Sequence, residues 1–359
     1  SLIRFRCVCK FWKNLFKTPS FIAEHLHYSS HQNPCILFED YGKSDHFRLY
    51  SLDGEMQILE VPGNPLFDVN GLRSWTFGAC NGLLCMGFFS SSLSLLVWNP
   101  ATREVRRLPC NSYFEGEEFC IGFGFSPIVD DYKIVKINPD EDDGWVNEVK
   151  VYSLSIGSWK DVQFGNLHGV GIITSKGFCF NGAIFWIGYK IGLEEDEGDV
   201  GCIVSFDIAM EVFALIPMPP SLFSIPRYLT AHENKLALLA HTLSGDKKSS
   251  LIHLWVMEEG TCANGWCWTK KYTSSPYLGY LLVPVAIWRN EIVCNVDSLP
   301  RPIDQIDEDE DEPNGERKIV MLNFTTNEFK TIDVRRFVLG YGIFNYTESL
   351  VPVRKVHVK

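Results

Sequence analysis

No apolar run in this 359-residue sequence approaches the ~18 residues that a membrane-crossing helix needs. The longest, Leu93 to Trp98 and Leu281 to Trp288, are far shorter, so a helical membrane protein is not expected. A secretory leader is unsupported too, because Arg4, Arg6, Lys10 and Lys13 leave no apolar h-region near the N-terminus. Basic charge is in deficit: 33 Lys and Arg against 44 Asp and Glu give a net charge of −11. That balance argues against general nucleic-acid binding, which needs a basic surface, and points to a neutral or basic partner. Metal-ligand spacing is missing. Cys7 and Cys9 are two apart, Cys262 and Cys267 lack a second ligand pair, and His25, His27 and His31 have no companion cluster. No Gly-x-Ser-x-Gly or His-Glu-x-x-His occurs, and the run HGVGIITSKG (168–177) lacks the Lys-Ser/Thr ending of a phosphate loop. That run reads as a connection between strands. No catalytic residue, metal or cofactor is therefore expected.

Cysteine is plentiful, yet its pattern excludes a disulfide framework. The twelve residues are scattered, many inside apolar runs, as Cys85, Cys202 and Cys294 are. Small reduced core residues of this kind predict a cytoplasmic protein, with the nucleus as the alternative compartment.

What is abundant is repetition. Six times a β-rich stretch runs into a short turn and a second strand: residues 47–62, 93–109, 149–164, 202–217, 251–272 and 319–334. The aligned positions include Tyr50, Trp98, Tyr152, Phe206, Trp255 and Leu322, at spacings of 48, 54, 54, 49 and 67. A second hairpin lies between successive copies. ACNGLLCMGF turns at Asn81-Gly82 and CFNGAIFWIGY at Asn181-Gly182. Asn-Gly tolerates the two positive φ angles of a type I′ turn. Weaker versions turn near Ser126 to Asp131, Glu233 to Lys235 and Arg289-Asn290. Four strands per period of about fifty residues is the content of one β-propeller blade. A β-sandwich has similar hairpins but rarely so regular a period. The fold class is therefore mainly β, a propeller of about six four-stranded blades. The last inner hairpin is expected over 341–353, turning at Thr347-Glu348. The two ends of the repeat region then share one blade, which removes exposed edges. CILFED (35–40) is left as a strand without a place.

The opening stretch is different. Leu2, Phe5, Val8 with Cys9, Trp12, and Leu15 with Phe16 fall at helical spacing between basic residues. Thr18-Pro19-Ser20 offers a stop and a new N-cap, and a second short helix follows. Read from its residues alone, the stretch is a helix capping the propeller, or a basic amphipathic helix of membrane-surface or calmodulin-target type.

SLIRFRCVCKFWKNLFKTPSFIAEHL resembles the C-terminal half of an F-box, through Arg4, Arg6, Val8, Cys9, Lys10, Trp12, Pro19, Phe21, His25 and Leu26. The remainder resembles the F-box-associated domain of plant F-box proteins, often labelled F-box/kelch-repeat. The carrying segments are CNGLLC (80–85), VWNPATREVRRLP (97–109), GFGFSPIVDDYKIVKI (122–137), VKVYSLSIGSWKDV (149–162), HLWVMEE (253–259) and YTESLVPV (346–353). Within that family the pattern is similar to S-locus F-box and S-locus-F-box-like proteins. Two departures stand out. The usual N-terminal half of the F-box is absent and no Met opens the chain, so a partial sequence is expected. No Gly-Gly doublet occurs, so true kelch repeats are not.

The resemblance implies a partial helical F-box over 1–30 and a propeller over 31–359. It implies a substrate-recognition subunit of an SCF-type cullin-RING ubiquitin ligase, non-catalytic itself. The F-box, through Leu2, Phe5, Val8, Cys9 and Trp12, would dock a Skp-type adaptor on the cullin-RING scaffold. The propeller would hold a protein target. The S-locus likeness implies a role in pollen self-incompatibility, with a basic S-RNase as target. A propeller interaction module without ligase function is the alternative.

Charge then suggests where a target would bind. Three segments are densely acidic: Asp140, Glu141, Asp142 and Asp143; Glu194, Glu195, Asp196, Glu197 and Asp199; and Asp304 with Asp307, Glu308, Asp309, Glu310, Asp311 and Glu312. Each falls between the inner and outer hairpin of its period. In a four-stranded meander such connections emerge on one face, so a one-signed face attractive to basic proteins is expected. Solubilising loops are the competing account.

Overall fold

A computed structural model describes residues 9–32, 34–40, 47–66, 74–90, 92–109, 119–140, 142–190, 199–219, 227–244, 249–259, 266–297, 318–333 and 339–353. Among the described residues two helices come first, α1 (Lys10–Leu15) and α2 (Pro19–Gln32). Pro19 suits a first helical position, where its missing N–H leaves nothing unsatisfied. Thr18, expected to cap α2, turns back instead. Its hydroxyl donates to the Leu15 carbonyl at 2.7 Å and closes α1. The inward face of α2 carries Ile22, His25, Leu26 and Ser29 at helical spacing.

Among the described residues the strands form six sheets, and these are the blades of a six-bladed β-propeller. The first contains β1 (Cys35–Asp40), β2 (Arg48–Leu52) and β3 (Ile58–Glu60). The second is β4 (Ser74–Cys80), β5 (Leu83–Phe89), β6 (Leu93–Asn99) and β7 (Glu104–Arg107). The third is β8 (Cys120–Ser126), β9 (Asp131–Pro139), β10 (Val146–Ser153) and β11 (Ser158–Asp161). The fourth holds β12 (Val170–Ile172), β13 (Phe178–Phe180), β14 (Ala183–Lys190), β15 (Val200–Asp207) and β16 (Val212–Pro217). The fifth holds β17 (Arg227–His232), β18 (Lys235–Leu243), β19 (Ser249–Glu259) and β20 (Trp266–Thr273), with β21 (Tyr277–Leu278) also paired to β19. The sixth is β22 (Leu281–Trp288), β23 (Glu291–Asp297), β24 (Lys318–Asn323) and β25 (Glu328–Asp333). The last strand, β26 (Leu339–Tyr346), belongs to the first sheet. By compactness the chain divides into two units, Ser1–Ile216 with Gly340–Lys359, and Pro217–Leu339.

The repeat seen in the sequence is a repeat of register. The six aligned residues each sit on the third strand of a sheet. They face Phe38, Leu84, Ile134, Ile184, Leu238 and Ile292 on the second. Trp98 and Phe206 are fully buried by this pairing, and Trp255 is half-buried under Lys270. Cores lie between neighbouring sheets. Leu84, Met86 and Trp98 pack with Leu37 and Leu49, while Trp186 and Phe206 pack with Val135 and Val151. In the second unit Leu239 and Leu254 meet Leu282 and Ile292. Gly122 and Gly124 of β8 leave the space for this packing. A Cβ on Gly122 would collide with Trp186, and one on Gly124 would lie 2.7 Å from Ile208 Cδ1.

The ends share a blade, but not as the hairpin pattern predicts. The order of the first sheet is β26, β1, β2, β3. Strand pairing stops at Tyr346, so 341–353 is not a hairpin. Its expected second strand is supplied by Cys35–Asp40, the strand that had no place. Residues 347–353 instead run against the second sheet. Asn99 Nδ2 donates to the Ser349 and Val351 carbonyls at 3.0 and 2.8 Å. Val353 N donates to Glu104 at 3.1 Å. These contacts pair part of the tail's polar backbone with side chains of the second sheet in place of a strand ladder. The 168–177 run also differs from expectation, because it contains β12. Beyond β12 the chain bonds across to β8: Ile121 N donates to Ser175 O, and Gly177 N to Ile121 O, both at 2.8 Å.

Candidate functional site

Two regions answer to the functional expectations. The first is the helical entry. Cys9 is exposed, in extended backbone just before α1. Trp12 is 38% exposed, and its ring lies 5.7 Å from that of Phe16. Phe16 is buried and continues the stack onto Phe21 at 5.2 Å. Phe11 projects outward, 71% exposed. The helical entry thus buries Phe16 and leaves Phe11 and Trp12 exposed. Leu2, Phe5 and Val8 lie outside the described residues. His27 and His31 do share a face of α2, ring centroids 4.4 Å apart, with His31 Nδ1 2.8 Å from the His27 carbonyl. Among the described residues no group of three His, Cys, Asp or Glu could hold a metal.

A pocket of about 380 Å³ separates α2 from the propeller. Ala23, Leu26, His27 and Ser30 form one wall, and Ala79 to Gly82 with Asn345 to Thr347 the other. The floor is the Asn81-Gly82 turn, with φ of 48° and 76°. Ser349 packs against Gly82 so closely that a Cβ there would collide with it.

The second region is the acidic loops. Asp140 to Asp143 join β9 to β10, the second and third strands of their sheet. Asp140 is half-buried, and its Oδ1 accepts from Asp142 N at 3.0 Å. Asp143 Oδ1 accepts from Trp145 N at 2.9 Å, leaving Asp142 and Asp143 exposed. The next sheet lies against this loop. Trp145 forms an isolated antiparallel bridge to Gly171, and a Cβ on Gly144 would lie 4.0 Å from the Tyr189 hydroxyl. Tyr189 is at the end of β14, just before the second acidic segment. Asp199, the described residue of that segment, is exposed at the entry to β15. Two of the three segments are therefore anchored side by side at the same end of adjacent sheets. Glu141, Glu194, Glu195, Asp196, Glu197, Asp307, Glu308, Asp309 and Glu310 lie outside the described residues, as does the rest of the third segment.

Some polar clusters have no local sequence signal. Lys133, buried on β9, donates to the Ile208 carbonyl at 2.7 Å and pairs with Glu211 at 2.6 Å. Lys160 reaches the other Glu211 oxygen at 2.5 Å. Burial pushes the Glu211 carboxyl up, but hydrogen bonds from Lys133 and Lys160 outweigh it and hold it below the usual range. Buried Glu39 on β1 accepts from Thr76 N on β4 at 2.5 Å and lies 3.5 Å from Lys176. Its partners are 37 and 137 positions away, so only the fold could reveal them.

Residues 63–294 match the family described as the F-box associated beta propeller domain. The chain belongs to that family. F-box protein CPR1 of Arabidopsis thaliana is 27% identical over 303 residues, 76% of this chain and 68% of that protein. A putative F-box/kelch-repeat protein of the same plant is 26% identical over 381 residues, 99% of this chain and 92% of that one. A putative F-box protein is 24% identical over 222 residues, 61% of this chain and 56% of that one. The chain thus spans from 56% to 92% of these curated relatives. As a member of the F-box associated family, it is a plant-type F-box protein with a propeller behind its helical entry.

Proposed function

We propose that this chain is the substrate receptor of an SCF-type cullin-RING ubiquitin ligase. The observation that carries the reading is the family match together with α1 and α2 leading directly into the propeller. In this reading the helical entry, with Phe11 and Trp12 at its surface, docks a Skp-type adaptor. The propeller holds a target whose lysines receive ubiquitin. The receptor contributes proximity and orientation, and the ubiquitin-charged enzyme contributes the chemistry. Such assembly takes place in the cytoplasm or nucleus.

The target in this reading is a basic protein. Support comes from the two acidic segments anchored on adjacent sheets and from the net charge of −11. An S-RNase is the class to which the S-locus likeness leads. The test of the receptor role is co-purification of a full-length version, its F-box complete, with a Skp-type adaptor and cullin. A stoichiometric complex is expected, and Trp12→Ala should weaken it at least tenfold. A full-length version that binds no Skp-type adaptor would leave the chain a propeller interaction module.

A further inference from the structure

Cys80 and Cys179 come from different sheets and are 99 positions apart, yet their sulfurs lie 3.7 Å from each other. Cys80 ends β4 and Cys179 is the middle residue of β13. Glycines bring the two strands close: a Cβ on Gly78 would lie 4.0 Å from the Gly177 carbonyl. The Cys179 sulfur fills the space opposite Gly124, 2.8 Å from where a Cβ would stand. A disulfide needs an S–S distance of about 2.05 Å, so rotation about the two Cα–Cβ bonds has a short gap to close.

The pair differs in access from the four buried cysteines of the described residues, and in ionisation from Cys85 and Cys294. Cys85, Cys120, Cys202 and Cys294 are buried in the blades. Burial pushes the Cys85 and Cys294 thiols far up, which makes them inert. Cys80 and Cys179 are half-buried, and Cys80 lines the 380 Å³ pocket beside α2. The two thiols share a hydrogen bond in which either sulfur can donate, and with burial it raises the Cys80 thiol above its ordinary value. That hydrogen bond holds the Cys179 thiol below its ordinary value, against burial and with help from the Phe125 backbone.

We propose that Cys80 and Cys179 form a redox modification site, a reversible inter-blade disulfide made by hydrogen peroxide and undone by a dithiol. The Cys179 thiolate attacks the peroxide oxygen, the O–O bond breaks, and hydroxide leaves. The sulfenic acid so formed is attacked by Cys80, which loses its proton. The S–S bond forms and the sulfenic oxygen departs as water. Two thiols are oxidised and one peroxide is reduced to two waters. Cys80 is part of the pocket wall formed by Ala79 to Gly82, so the disulfide ties that wall to β13.

The experiment uses the whole chain, purified reduced, treated with hydrogen peroxide, alkylated under denaturing conditions and mapped by peptide mass spectrometry. The expected product is a peptide pair linking Cys80 to Cys179, two hydrogens lighter than its parts and lost on dithiothreitol treatment. Cys85 and Cys294 should remain fully alkylatable. Cys179→Ser should abolish the link, while the wild-type map stands independently of that variant's folding. Full alkylation of both thiols after peroxide, or a Cys80–Cys85 link instead, would overturn the proposal.

Discussion

At the residue scale, three of the turns between third and fourth strands share one device. Asn99, Asp207 and Asn323 each end a third strand, and each Oδ1 accepts two backbone N–H groups of the turn that follows. The fourth residue of each turn, Arg103, Glu211 or Asn327, takes positive φ. This is the Asx-turn preference expressed three times, and it is legible in NPAT, DIAM and NFTT. The Asn-Gly turns are legible too, but their strain differs with context. Gly82 must have both its φ of 76° and no side chain, because Ser349 leaves no room; Gly182, at 77°, has its nearest neighbour 3.7 Å away. Gly182→Ala should cost about 1 kcal/mol. Gly82→Ala should cost ~1–3 kcal/mol more from overpacking; equal urea midpoints for the two variants would contradict the contact. Glu211 adds a pH dependence. Its carboxyl is held below 4.5, so its contribution is complete above that pH and is lost as pH falls through the lower folded value. Glu211→Gln should cost about 1–3 kcal/mol at neutral pH and flatten the acid limb of stability between pH 3 and 5, roughly the carboxylate range. Buried His253 and His241 act in a higher window. Burial holds both below 6.5, so folding loses stability as pH drops beneath that value. Thermal melts in 0.5-unit steps, about a third of the change that moves a titration from mostly charged to mostly neutral, would separate the two windows.

At the scale of elements, the first sheet joins the chain's distant segments. β26 pairs with β1, and Glu39 of β1 reaches Thr76 on β4 and approaches Lys176. Gly342 on β26 permits this, since a Cβ there would collide with the Glu39 carboxylate. Asn99 then holds the tail beyond β26 while also capping its own turn. Asn99→Ala removes both functions and should cost about 2–3 kcal/mol, with faster proteolysis beyond Tyr346. Deleting 339–359 should be worse. It bares the β1 edge, a template for pairing with other chains, and light scattering should then show larger species than the intact chain gives. The hairpins that build the other sheets were readable because each is local. The pairing of 35–40 with 339–346 was not, because nothing in either stretch names a partner some three hundred positions away.

At the scale of the whole molecule, charge separates from fold. Sixteen of the 44 acidic residues lie in the three acidic segments of the sequence, which leaves the rest of the chain net basic. A concentrated field speeds encounter with a basic protein and is screened by salt over about 8–10 Å. Replacing the described carboxylates Asp140, Asp142, Asp143 and Asp199 with Asn should slow association with a basic target and flatten its salt dependence. Stopped-flow rates from low to physiological salt provide the check. Unchanged slopes would assign the loops to solubility. Folding should survive these changes, since Asn retains the oxygen that Asp140 and Asp143 use to cap their turn.

The amino-acid sequence by itself determined the period, the strand pattern, the turn chemistry and the family, because each is written in residues close along the chain. Two things were decided only by tertiary structure: which strand closes the first sheet, and which polar groups meet across blades. β26 and β1 are separated along the chain by the strands of five other sheets, and Lys133 and Glu211, or Cys80 and Cys179, become neighbours only when separate sheets pack. Local propensity selects elements, while burial of the remaining edge and of the remaining polar groups selects their partners.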